Sequence, residues 1–191
     1  MSATDDLRTE HRAIERMLAI LEEASNRLEQ GQRVSPDVFR RAVDFVRNFA
    51  DGCHHAKEEQ NLFPGMEARG VPREGGPIGV MLFEHEEGRA YVRAIAGAID
   101  TYEADGQSAA PVIVENARGY VGLLRQHIMK EERVLFPMAD RVLSPADQAE
   151  LEQRFEQIET EVMGPGTHER YHQLLDDLER ELGLVGRHLV G

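Results

Sequence analysis

The sequence predicts an all-α fold, an antiparallel up-down-up-down four-helix bundle followed by two short C-terminal helices. Three observations predict it. Ala, Leu, Glu and Arg are frequent and β-branched runs are scarce, which favours helix. Apolar residues recur with helical period through four long stretches. One helix pair, with its histidines and glutamates in place, occurs twice along the chain.

The first helix spans residues 4–30, with Leu7, Ile14, Leu18 and Leu21 on one stripe and Gly31 as its stop. Ser35-Pro36, a capping residue and then a proline at the first helical position, starts the second, which runs to about residue 68. Residues 70–76, with Pro72 and three glycines, are a loop. The third helix covers residues 77–104 and ends at Asp105-Gly106. The fourth covers residues 111–142, with a kink expected at Pro137. Ser144-Pro145 starts a fifth, to about residue 163. Gly164-Pro165-Gly166 breaks the chain, and a sixth helix covers residues 167–182. Long helices joined by short connections are up-down neighbours. Residues 1–143 are therefore expected to form the bundle, and residues 144–191 an extension packed on it as a cap.

The chain has 191 residues, 41% hydrophobic and 30% charged, enough for one domain with a sizeable core. A net charge of −13 argues against nucleic acid, whose phosphates would be repelled. No apolar run approaches the ~20 residues of a membrane span. Residues 1–10 are polar and acidic rather than a secretory signal, so the cytoplasm is the expected location. One cysteine, Cys53, excludes an intramolecular disulfide and a Cys-rich zinc site. Its ordinary role is a small buried side chain.

The repeat carries the chemistry. Residues 54–64 and 127–137 both read H-x-x-K-E-E-x-x-L-F-P, offset by 73 residues. Glu10-His11 and Glu84-His85 match at an offset of 74. Residues i and i+4 share a helix face, so His54 with Glu58, and His127 with Glu131, each set an imidazole beside a carboxylate. His11 lies among Leu7, Ile14 and Leu18, His85 among Met81, Leu82 and Val92, and His127 among Leu123, Leu124 and Val134. These polar groups point inward, where they need partners.

The four histidines also fall at one height. About 19 residues separate His11 from the end of helix one, and about 18 separate the start of helix two from His54. At ~1.5 Å per residue the chain descends and returns to the same level. Corresponding counts bring His85 and His127 into that layer. Each histidine alone reads as an ordinary core residue. Four histidines and two glutamates in one layer would be costly to bury without a cation, so a metal site is expected.

Other candidates lie outside this layer. His168 and His172 form an H-x-x-x-H pair beside Tyr171, either a third site or lid, or one face of an amphipathic helix packed through Tyr171, Leu174, Leu175 and Leu178. His188 is too near the C-terminus to be expected in the site. Lys57 and Lys130 occupy matching positions and are expected to face solvent beside nearby acids.

Glu-His in helices one and three, with H-x-x-x-E-E-x-x-L-F-P in helices two and four, resembles the hemerythrin-like (HHE cation-binding) family. The likeness covers about residues 6–139. Its flanking details, C-H-H-A-K-E-E-x-x-L-F-P and G-G-P-I-G-V-M-L-x-E-H-E-E-G-R, look like the stand-alone bacterial and archaeal members. The resemblance implies His11, His54, Glu58, His85, His127 and Glu131 as ligands of two irons, bridged by Glu58, Glu131 and an oxo or hydroxo group. The family's oxygen carriers use five histidines, and only four match here. His55 is the first candidate for the fifth position; the other reading is an interfacial or outer residue. Glu59 and Glu132 are either acceptors for ligand N–H groups or exposed.

Imidazole with carboxylate suits iron, zinc or manganese; paired carboxylates in a bundle are the arrangement of di-iron and di-manganese proteins, and iron is the expected metal. The expected function is binding, or reaction with, a small diatomic or oxidant: dioxygen, nitric oxide or peroxide. The alternatives are an iron or oxygen sensor, an iron store or donor, and a metal-free structural bundle. Relatives proposed as iron donors carry an added N-terminal segment with cysteines, which this chain lacks.

Overall fold

A computed structural model describes residues 2–106, 108–164 and 166–185. The described residues form helices joined by short loops, without strands, and the long helices form an antiparallel bundle. The first rod is α1 (Ala3–Glu29). The second begins with α2 (Pro36–Phe45), where the Ser35 hydroxyl accepts from the Asp37 N–H, and ends with α3 (Phe63–Ala68). Between them lie two wider, π-helical stretches, Val46–His55 and Glu58–Leu62. The third rod is α4 (Pro77–Asp105). The fourth is α5 (Ala110–Lys130), a π-helical turn at Glu131–Leu135, and α6 (Phe136–Val142). Next come α7 (Pro145–Ile158), a π-helical turn at Glu159–Met163, and α8 (Thr167–Glu181). No described helix is long and apolar enough to cross a membrane.

The rods close a ring. α5 packs between α1 and α4, and the second rod between α4 and α1. Gly119 permits a close approach of α5 to α4, since a Cβ there would meet the Tyr91 ring at 2.5 Å. The core falls into two apolar clusters. One holds Ile14, Leu18, Phe45, Phe49, Ile95 and Ile113. The other holds Leu7, Leu62, Phe63, Ile78, Leu135 and Phe136. His11, His54, Glu58, His85, His127 and Glu131 are buried as well, and belong to neither cluster. A polar layer therefore divides the apolar core.

The wide turns differ from the kink expected at Pro137. Phe63 N–H bonds the Glu58 carbonyl and Phe136 N–H bonds the Glu131 carbonyl, each five residues back. Pro64 and Pro137 come directly after them. Proline has no N–H and its ring crowds the carbonyl four residues earlier, so the preceding turn widens. The extra residue in the turn rotates the side chains around it. Val134, expected on the inward stripe of His127, is 50% exposed for that reason.

The two C-terminal helices were expected to cap the bundle; they lie along its flank. α7 packs on α1 and the Glu58–Leu62 turn, and α8 on α1 and α2. Leu175 and Leu178 are fully buried there. Arg16 on α1 anchors α8 through Glu179, Nε to Oε1 at 2.8 Å.

Candidate metal centre

Two groups of donor atoms face each other in the polar layer. His11, His54, Glu58 and Glu131 form one, and His55, Glu58, His85 and His127 the other, with the ligating atoms of each within 4.8 Å of one another. The two glutamates turn one oxygen to each group. Glu58 Oε1 lies 3.8 Å from His54 Nε2, and Oε2 lies 3.4 Å from His85 Nε2. Glu131 Oε2 lies 3.2 Å from His11 Nε2, and Oε1 lies 3.0 Å from His127 Nε2. The i,i+4 spacing sets each glutamate beside the histidine of its own helix, and the bundle brings up the histidine across from it. His55 enters the second group with its ring stacked on His85, centroids 3.8 Å apart. Adjacent residues lie ~100° apart on a helix, so His54 and His55 face different groups.

Every one of the five rings is held by a carboxylate at Nδ1. His11 donates to Glu132 (3.2 Å), His54 to Glu10 (2.9 Å) and His55 to Asp51 (3.3 Å). His85 donates to Glu59 (2.7 Å) and His127 to Glu84 (2.9 Å). A proton held at Nδ1 leaves the lone pair on Nε2, facing the layer. Arg89 braces two of these carboxylates, donating to Asp51 and Glu59, each at 2.8 Å.

The electrostatics fit a cation. Both oxygens of Glu58, both of Glu131, and Nε2 of His11 and His55 are buried without a hydrogen-bond partner among the described residues. Burial, and then the charge of Glu131, push the Glu58 carboxyl well above its usual range. Burial opposes ionisation of Glu131 too, but His127 and His11 outweigh it and hold its carboxyl well below that range. Burial depresses His54 to about 4 against the pull of Glu10, and carries His55 well below its ordinary value. Both are thus neutral near pH 7, the form that ligates metal. His127 is the exception: burial is outweighed by Glu131, which raises it to about 9. Orphaned buried acceptors beside neutral imidazoles are a donor set for divalent cations.

The fold and this layer define a helical metal-binding protein. The sequence profile described as the hemerythrin HHE cation binding domain matches residues 2–139, and the chain belongs to that family. It is also similar to uncharacterized proteins from Mycobacterium bovis and from two strains of Mycobacterium tuberculosis. Each is 24% identical over 184 residues, covering 96% of this chain and 71% of the relative. No solved structure gives a significant match.

Sequence reasoning missed part of the layer. Glu10, Glu84 and Asp51 were not assigned as ring partners. The Glu-His repeat and the Asp51–His55 i,i+4 spacing were the available signals. Glu59 and Glu132 are acceptors for the His85 and His11 rings. Lys57 corrects an expectation: it is fully buried, not solvent-facing. It donates to Glu10 at 2.5 Å and to Glu159 under the Phe155 ring, because α7 and the turn after it cover that side. Lys130, its repeat partner, donates to Glu84 and is 34% exposed. Cys53 is buried in the apolar core, as its ordinary role requires, and its thiol is pushed up to about 12 by burial. His168 comes within reach of Glu10 and Cys53. Glu10 there already holds His54 and the Lys57 ammonium. His172 is exposed. His188 lies outside the described residues.

Proposed function

We propose that the layer holds two iron ions and that the protein binds or reacts with a small diatomic or oxidant: dioxygen, nitric oxide or peroxide. His11 and His54 would hold one metal, His55, His85 and His127 the other, and Glu58 and Glu131 would bridge them. The observation that carries this reading is that each glutamate turns one oxygen to each histidine group. Two irons held there would supply electrons to a small ligand and a Lewis-acidic position to bind it. The chain's own residues do the rest. The five outer carboxylates fix each ring's tautomer and aim Nε2 inward. The apolar clusters on either side exclude water, which strengthens every charge interaction inside. The His11–His54 side has one imidazole fewer than the other, so it offers fewer protein donors. Zinc or manganese would suit the same donors, without iron's redox chemistry for zinc.

A second reading is a metal or oxygen sensor without turnover. It is favoured by the same buried acceptors, which tie stability to occupancy.

Metal analysis of untagged protein tests the first reading, with visible spectra before and after dioxygen. About two irons per chain and charge-transfer bands that respond to oxidant are expected. One metal per chain, or none after growth in iron-replete medium, overturns it. Occupancy that shifts the melting temperature, with neither binding nor consumption of dioxygen, nitric oxide or peroxide, selects a metal sensor.

A further inference from the structure

Glu10 and Glu84 stand at matching places in the repeat, and their surroundings differ. Glu84 accepts from His127 Nδ1 with one oxygen and from the Lys130 ammonium with the other. Glu10 does the same for the other half, with Oε2 2.9 Å from His54 Nδ1 and Oε1 2.5 Å from Lys57 Nζ. Beyond its pair with Glu84, Lys130 is 34% exposed. Lys57 instead goes on to a third group: it also donates to Glu159, in the turn that follows α7. The Phe155 ring of α7 covers the ammonium, with its centroid 5.5 Å away. Glu159 reaches α8 as well, its Oε2 3.8 Å from His168 Nε2. The turn that carries Glu159 packs directly on the Val46–His55 stretch. No ion pair among the described residues ties Glu84 or Lys130 to α7 or α8.

Charge differs with the contacts. Glu84 and Lys130 cancel. Glu10, Lys57 and Glu159 are two carboxylates and one ammonium, with one net negative charge between them. Lys57 is fully buried and Glu10 nearly so, which leaves their charges weakly screened. This charge stands behind His54, on the group with one imidazole fewer. With Glu159 neutral, Lys57 would cancel Glu10 alone, and the carboxylate would hold the His54 N–H less strongly. A carboxylate behind a ligating imidazole fixes its tautomer and raises its basicity.

We propose that Glu159 positions the His54 ring through Lys57 and Glu10, so that docking of the C-terminal helices and cation binding at the His11–His54 group stabilise each other. The effect is reciprocal, because a coupling free energy between two sites acts equally on both. The coupling rests on the reading of the layer as a metal centre and adds an element that acts on one half of it.

The test uses the full chain, metal-free and loaded with zinc, a diamagnetic cation that suits the same donors. Glu159 is 38% exposed, so E159Q removes its charge without opening the core. R16Q is the control. It frees α8 from Glu179 and Asp176, keeps the packing of Leu175 and Leu178, and leaves Lys57 untouched. In metal-free protein, the ring resonances of the eight histidines are read by NMR. E159Q is expected to move the His54 Nδ1 resonance and leave that of His127 in place, and E159D to return it towards the wild-type position. In competition with a chelator, E159Q is expected to weaken one zinc of two about tenfold and to spare the other, as loss of support behind a ligand does. Hydrogen exchange across α7 is expected to slow on zinc binding in wild type and to lose that response in E159Q. R16Q is expected to match wild type in the His54 resonance and in both zinc affinities. An unmoved His54 resonance in E159Q, an equal zinc loss in R16Q, or α7 exchange that bound zinc leaves unchanged in wild type, overturns the proposal. Wild type holding fewer than two ions of either zinc or iron, with the His54 resonance moved in E159Q, upholds the positioning and sinks the two-metal reading. Two zincs in wild type, held equally well by E159Q, does the reverse.

Discussion

Glu58 and Glu131 are the residues on which the centre turns. Each touches both histidine groups, so on the proposed two-metal reading removing either should empty both groups rather than one. Glu58→Ala and Glu131→Ala are each expected to fall below one metal per chain by mass spectrometry. Retention of two by either variant would break the bridging assignment. The lysines of the repeat make a contrast at the same scale. Lys57 is buried between Glu10 and Glu159, and taking away one partner of a buried pair leaves an uncompensated charge, at a cost of about 3–5 kcal/mol. Lys130 is partly exposed, and its pair with Glu84 is worth about 0–1 kcal/mol once solvent screening is allowed for. Lys57→Met should therefore lower denaturant stability far more than Lys130→Met. Equal losses would show that burial by the C-terminal helices does not set the difference.

At the scale of the element, the glycines of α4 separate two roles. A Cβ on Gly79 would fall 2.5 Å from the Arg73 carbonyl oxygen, a backbone atom of the loop before the helix. Gly97, on the same helix, has nothing within 4 Å of that position. Gly79→Ala is expected to destabilise by about 1–3 kcal/mol through overpacking. Gly97→Ala is expected to be stabilising by up to about 1 kcal/mol, since alanine is the better helix former. Thermal melts of the two variants check this, and a stabilised Gly79→Ala would mean the loop yields freely. The same scale shows where sequence reading stops. Ser35-Pro36 and Ser144-Pro145 located helix starts to the residue, because caps act within one turn. The π-helical turns before Pro64 and Pro137 were not legible, because a proline can be met by a kink or by a wider turn. Packing decides between them, and the exposed Val134 records the outcome.

For the whole molecule, stability and metal occupancy are linked. A cation that binds the folded layer and not the unfolded chain stabilises by RT ln(1 + [M]/Kd), about 4 kcal/mol at a thousandfold excess. Chelation is therefore expected to lower the melting temperature by several degrees, and returning metal to restore it. A melting curve indifferent to chelator would place the bundle's stability in its two apolar clusters alone.

The sequence by itself determined the helices, their antiparallel order and the convergence of His11, His54, His85 and His127 with Glu58 and Glu131. Helical period, caps and equal rod lengths are local quantities, and they place residues at one height without reference to packing. Tertiary structure alone decided which ring faces which carboxylate. His55 joins the second group because a neighbouring rod carries His85 onto its face. Lys57 is buried because α7 lies over it, although Lys130 stands at the same place in the repeat. Orientation across a bundle depends on helix rotation and approach, and those are set jointly by every side chain between the rods.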